Sequence, residues 1–131
     1  MASLYNPPEL APPRGFSHAA AARGRVIALA GQIGWDANYR LVSSDFVPQF
    51  AQALSNLVIA LECAGGKIED LISLRIYVTD KRRYLNCLKD VGHAYRAQLG
   101  KHFPAMALVQ VADLLEDGAL VEIEGLAVVP D

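Results

Sequence analysis

Cysteine is scarce in this 131-residue chain: only Cys63 and Cys87 are present, and neither falls in a CxxC or Cys/His ligand spacing. That argues against a structural zinc site and against a disulfide framework. Both cysteines lie inside helical patterns and read as small buried apolar residues in a reducing compartment. Long apolar runs are missing as well, with nothing near the roughly 20 residues that a membrane span needs. The amino terminus, Met1-Ala-Ser-Leu-Tyr-Asn-Pro-Pro, lacks the basic-then-apolar order of a signal peptide. A cytoplasmic location away from membranes is the expectation. Basic charge is short too: 12 Lys and Arg stand against 14 Asp and Glu, a formal net charge of −2. Binding nucleic acid requires clustered cations to neutralise phosphates, and the densest cluster, Lys81-Arg82-Arg83, reads as a solvated helix start. A nucleic-acid partner is therefore not expected.

What the chain does have is the composition of an ordinary globular protein, with 53% hydrophobic and 20% charged residues. Its length predicts one domain over residues 1–131. Four of the seven prolines fall in the first fifteen residues, so residues 1–14 read as an extended arm. Two short apolar runs, Phe16 to Ala22 and Val26 to Ala30, flank Arg23-Gly24-Arg25 and predict a hairpin. After Ser43-Ser44-Asp45, Phe46, Val47, Phe50, Ala51, Leu54, Leu57, Val58 and Leu61 recur at helical steps until Gly65-Gly66 stops them. Leu74, Ile76 and Val78 alternate with polar residues as in a strand. Asp80 then caps a second helix, whose face of Tyr84, Leu85, Leu88, Val91, Tyr95 and Leu99 runs to Gly100. Two strands, Ala105 to Val111 and Ala119 to Val129, close the chain. The order β-β-α-β-α-β-β predicts an α+β domain with both helices on one face of a sheet. Its other face then needs cover, for which subunit association is the simplest source.

Few residues advertise chemistry. In Val121-Glu122-Ile123-Glu124-Gly125 both glutamates fall on one strand face, either as a solvated edge or as acids whose desolvation would favour proton transfer. His18, His93 and His102 have no partners at ligand or catalytic spacing, so no metal site is expected. Gly31-Gln32-Ile33-Gly34 lacks both the GxGxxG spacing of a dinucleotide site and the lysine of a phosphate loop. It reads as a tight turn that lets the backbone approach a ligand or a neighbouring chain.

Phe103-Pro104-Ala105, Val109-x-Val111 and Val121-Glu122-Ile123-Glu124 resemble the carboxy-terminal signature of the RidA/YjgF family. Gly15-Phe16-Ser17-His18-Ala19, Ala30-Gly31-Gln32-Ile33, Gly65-Gly66 and Tyr77-Val78-Thr79-Asp80 resemble its upstream segments in the same order. The resemblance covers nearly the whole chain. It implies a chorismate-mutase-like fold and a homotrimer with sites in clefts between subunits. It also implies cofactor-free hydrolysis of enamines and imines such as 2-aminoacrylate. In the family an arginine directly after Phe/Tyr-Pro-Ala pairs with the substrate carboxylate, a tyrosine and an asparagine line the cleft, and a glutamate on the last strand holds the attacking water.

Carried across by residue, Glu122 matches the water-holding glutamate, given one extra residue in the preceding turn, and Gly31 is kept. The arginine position is Met106, the tyrosine position Phe16 and the asparagine position Gly92, while Leu108 stands where the family has cysteine or threonine. Without a bidentate arginine a small charged imine loses its strongest contact. The expected pocket is apolar, formed by Phe16, Met106 and Leu108 with Ile33 and Trp35, and its acid is Glu122. Arg14, Arg23 and Arg25 are candidates for a substitute cation. The expected activity is cofactor-free hydrolysis of an enamine- or imine-type ligand other than 2-aminoacrylate, with Glu122 activating water and Glu124 supporting it. Alternatives are a non-catalytic trimeric small-molecule-binding protein and, more weakly, an endoribonuclease.

Overall fold

The computed structural model describes residues 1–131. A four-stranded mixed sheet forms its centre, in the order β3 (Arg25–Gln32), β6 (Val121–Val129), β4 (Leu71–Val78), β5 (Ala105–Gln110). Strand β6 runs antiparallel to both β3 and β4, and β4 pairs in parallel with β5. A parallel pair cannot be closed by a tight turn, so the chain between β4 and β5 crosses over as helices α2 (Lys81–Leu85) and α3 (Leu88–Leu99). Helix α1 (Phe46–Cys63) makes the other crossover, from β3 to β4. This is the β-β-α-β-α-β-β arrangement of a chorismate-mutase-like α+β fold, with two refinements.

The first refinement corrects the expected hairpin. The short strand β2 (Ala19–Ala21) does not pair with β3 across Arg23-Gly24-Arg25; it pairs with β1 (Ser3–Tyr5) from the amino-terminal arm. The partner of β3 is β6, in the register Arg25↔Val129 to Leu29↔Gly125. Local turn chemistry nominated a neighbour in sequence, whereas β6 offers a longer apolar strand. In the second refinement, the expected second helix breaks at Asn86-Cys87, where Cys87 leaves helical geometry (φ −132°, ψ 30°). Its start is as expected, with the Asp80 side chain accepting from the Arg82 N–H at 2.9 Å.

The helical stripe of α1 buries Phe46, Phe50, Leu54, Leu57 and Leu61, as its 3.6-residue period dictates, and also Gln49 and Ala53. They pack on Ile27 and Leu29 of β3, Leu74, Ile76 and Val78 of β4, and Val121, Ile123 and Ala127 of β6. Full burial of each large aliphatic side chain contributes about 1.5–3 kcal/mol, so this layer holds the domain together. Helix α1 ends in paired hydrogen bonds, Gly66 N–H to the Leu61 carbonyl and Gly65 N–H to Glu62, with Gly65 at φ 89°. That left-handed turn is one a side chain resists. Arg25 caps the same end by donating to the Ala64 carbonyl at 3.0 Å.

The other sheet face carries no helix. It presents Val26 (64% exposed) and Val109 (46%), with Ala28, Ala30 and Ala107 also exposed. Among them lie Arg75, Tyr77, Glu122 and Glu124. The cysteines are less buried than expected. Cys63 is exposed, and the half-buried Cys87 thiol points at the Arg83 and Tyr84 carbonyls. No helix is long and apolar enough to cross a membrane.

Candidate functional site

Residues 15–17 run along the start of β5 and decide what faces the main cavity. Ser17 bridges to Ala105; its N–H donates to the Pro104 carbonyl at 3.0 Å and its hydroxyl to the Phe103 carbonyl at 2.6 Å. Ser17 is thereby buried, and Phe16, next in alternation, turns toward Met106 and Leu108 on β5. Behind this segment Asn6 accepts from the His18 N–H, and the His18 ring meets the Ala11 carbonyl at 2.7 Å. The arm is thus tied down beside the cavity.

The cavity has a volume of about 570 Å³, and ten of its fourteen lining residues are hydrophobic. Four expected positions meet in it: Phe16, Gly92, Met106 and Leu108. Its floor comes from Phe50, Ile76 and Val91, and one wall is the Tyr95 ring stacked on Phe103 at 5.2 Å between centroids. The Tyr95 hydroxyl donates to the His102 carbonyl at 2.7 Å, and burial pushes its pKa far up. Burial also raises Tyr84. Neither phenol can serve as a base at neutral pH; both act as aromatic walls.

Glu122, Gly31 and Ile33 do not line this cavity of the single chain. Residues opposite each other in a ladder share a face. Met106 pairs with Leu74 and Leu108 with Ile76, so both β5 side chains lie on the helix-covered face. Glu122 pairs with Tyr77, on the open face. Within one chain the sheet itself separates the acid from the cavity. Ile33 is buried, 6% exposed, and Trp35 packs edge-on against Tyr39 in the loop beyond.

Glu122 and Gly31 do come together. Strand β3 carries one extra residue between Leu29 and Gln32 relative to β6, a bulge that swings Gly31 onto Glu122. A β-carbon at Gly31 would overlap the Glu122 carboxylate. A residue without a side chain is what allows that half-buried acid to lie against the β3 backbone. Glu124, two residues on, accepts from the Tyr77 hydroxyl, a bond that raises the Tyr77 pKa. Glu124 is therefore engaged structurally, and Glu122 is the freer acid of the two.

The substitute cations sort clearly. Arg25 is committed to the end of α1, and Arg23 does not reach the cavity. Arg14 lines it, as does Arg96 of α3, which sequence reading passed over. Its signal was available: Arg96 stands one helical turn after Gly92, and i, i+4 residues are neighbours on a helix. No three His, Cys, Asp or Glu side chains converge as metal ligands.

Residues 7–129 match the family model described as endoribonuclease L-PSP. A Salmonella typhimurium protein named 2-iminobutanoate/2-iminopropanoate deaminase is 34% identical over 108 residues, covering 80% of each chain. A Yersinia pestis structure from the conserved Rid family superposes with a TM-score of 0.82 at 32% identity, over 98% of both chains. A Mycobacterium tuberculosis member of the YjgF/YER057c/UK114 family does so at 0.66 and 30%, over 98% of this chain and 100% of its own.

Proposed function

The chain belongs to the endoribonuclease L-PSP family, the RidA/YjgF proteins, and from that premise we propose that it hydrolyses an imine- or enamine-type small molecule larger than 2-aminoacrylate, without a cofactor. The observation that carries this reading is the apolar cavity built around Phe16, Met106 and Leu108, where the family keeps polar and charged side chains. The relative named 2-iminobutanoate/2-iminopropanoate deaminase supports the reaction class.

The chemistry asks little of the protein. Glu122 takes a proton from water as the oxygen attacks the carbon of the protonated imine, forming a neutral carbinolamine. That proton then passes to nitrogen, and as the C–N bond breaks Glu122 takes the hydroxyl proton, leaving ammonia and the carbonyl. An enamine must first be protonated on carbon to reach the same imine. Because the sheet stands between Glu122 and the cavity of its own chain, the working site takes the acid and the cavity from different copies. We place them together in a homotrimer whose subunits cover the open sheet face. Sedimentation equilibrium should give three times the 14.1 kDa of the chain. A monomer with full turnover would refute the shared site.

The substrate claim is tested by assaying ammonia release from 2-aminoacrylate and from the imine of an aromatic 2-keto acid, for wild type and Met106→Arg. The wild type should prefer the aromatic imine. Restoring a bidentate arginine should raise turnover of 2-aminoacrylate by about tenfold or more. Equal rates of wild type and variant on 2-aminoacrylate would sink the claim. The second reading, a trimer that binds a small molecule without converting it, is favoured by the changes at Phe16, Gly92 and Met106. Its signature is tight binding with no product.

A further inference from the structure

The cavity is apolar but not uncharged. Arg14 and Arg96 are its only charged lining residues, and no acid lines it. Neither guanidinium has a hydrogen-bonded or ionic partner: the chain's one ion pair joins the Met1 ammonium to Asp70. Arg96 is moreover shaped toward the cavity. A β-carbon at Gly92 would stand 3.1 Å from its Nη1, so the missing side chain at Gly92 lets the guanidinium fold back along α3. Arg14 approaches from the end of the amino-terminal arm, next to Gly15 and Phe16. Two unpaired cations are thus held at the edge of an aromatic and aliphatic chamber.

We propose that Arg96, assisted by Arg14, binds the carboxylate of an amphipathic ligand whose aromatic or branched apolar body fills the cavity between Phe16, Tyr95, Phe103 and Met106. This deepens the reading of that cavity as the substrate site, and rests on it, but needs no turnover. The physical case is one of matching. Both guanidiniums are exposed at the mouth of the cavity. Each therefore offers a charge-assisted hydrogen bond that solvent and salt partly screen, so the preference for an anion is read at low salt. The apolar body gains by leaving water. Helix α3 and strand β5 form different walls of the cavity, so an anion held at Arg96 is anchored on the helix wall and not at Met106. The ligand must reach from the rim into the chamber, which selects against short carboxylates. A cavity of about 570 Å³ has room for a phenyl- or indolyl-bearing acid.

The test is titration calorimetry on the full chain at low salt with three probes: 3-phenylpropionate, its neutral primary amide, and propionate. For the wild type, 3-phenylpropionate should bind about tenfold or more tighter than either comparator, since one probe lacks the charge and the other the body. Arg96→Gln should remove most of the preference for acid over amide by weakening acid binding far more than amide binding, an outcome that a merely structural arginine would not produce. Arg96→Lys should keep part of the preference, because it retains charge but not the bidentate fork. Arg14→Gln should lower it by a smaller factor. Equal binding of acid and amide to the wild type, an unaltered preference in Arg96→Gln, or no binding of 3-phenylpropionate would each overturn the proposal. Ammonia-release assays with the imine of an aromatic 2-keto acid, on the same protein preparations, separate the two readings. Binding without turnover fails only the hydrolase, and turnover without anion preference fails only the anchor.

Discussion

Glu122→Gln is expected to lower turnover of any imine substrate by about 10²- to 10⁴-fold, the range that one positioned acid/base group supplies. Glutamine keeps the size of the side chain and a carbonyl that can hold water, but it cannot take the proton that makes water a nucleophile. Binding should therefore be preserved while kcat falls, which separates this change from one at Phe16 or Met106. Gly31→Ala gives an independent approach to the same group. A β-carbon there overlaps the carboxylate, so Glu122 has to swing away from the β3 backbone. The same catalytic loss should appear with the acid chemically intact. Undiminished turnover in Glu122→Gln would remove the acid from the mechanism, and would also remove the reason for placing the site between two copies.

The second large effect falls on folding. Gln49→Leu should lower the free energy of unfolding by about 2–3 kcal/mol, because it removes three hydrogen bonds worth about 0.5–1.5 kcal/mol each. Their partners lie on half-buried or exposed residues and regain some water. Gln49 is fully buried in α1. Its Nε2 donates to the Ser43 and Gly118 carbonyls, both at 2.9 Å, and its Oε1 accepts from the Leu120 N–H at 2.8 Å. One side chain thus ties the start of α1 to the loop that feeds β6, the strand bearing Glu122. A typical domain has only about 5–15 kcal/mol to lose. Urea unfolding at a fixed protein concentration is the measurement, since association contributes to apparent stability. A change under 1 kcal/mol would show that water satisfies these groups equally well.

Gln49 also illustrates where sequence reading stops. Phe46, Phe50, Leu54, Leu57 and Leu61 were legible because apolar spacing reports which face of a helix is buried. A glutamine on that face carries no such mark, since its burial depends on carbonyls 6 and 69 residues away in sequence. The arginines tell the same story. Arg14 stands two residues before Phe16 and Arg96 one helical turn after Gly92, but only the fold brings both to one cavity.

Periodicity and capping by themselves determined the element order, the α+β class, the helix-covered core and the alternation of Glu122 and Glu124 against Val121 and Ile123. These are local properties, set by 3.6- and 2-residue repeats and by residues such as Asp80 and Gly65. The family signature added which positions correspond to the family's site. Only the tertiary structure decided that β3 pairs with β6, that a bulge presses Gly31 onto Glu122, and that Met106 and Glu122 face opposite sides of one sheet. A strand's repeat says that neighbours alternate, but not which of two faces a distant strand shares with it. That choice is made by register, which depends on how β4, β5 and β6 bury their apolar sides together.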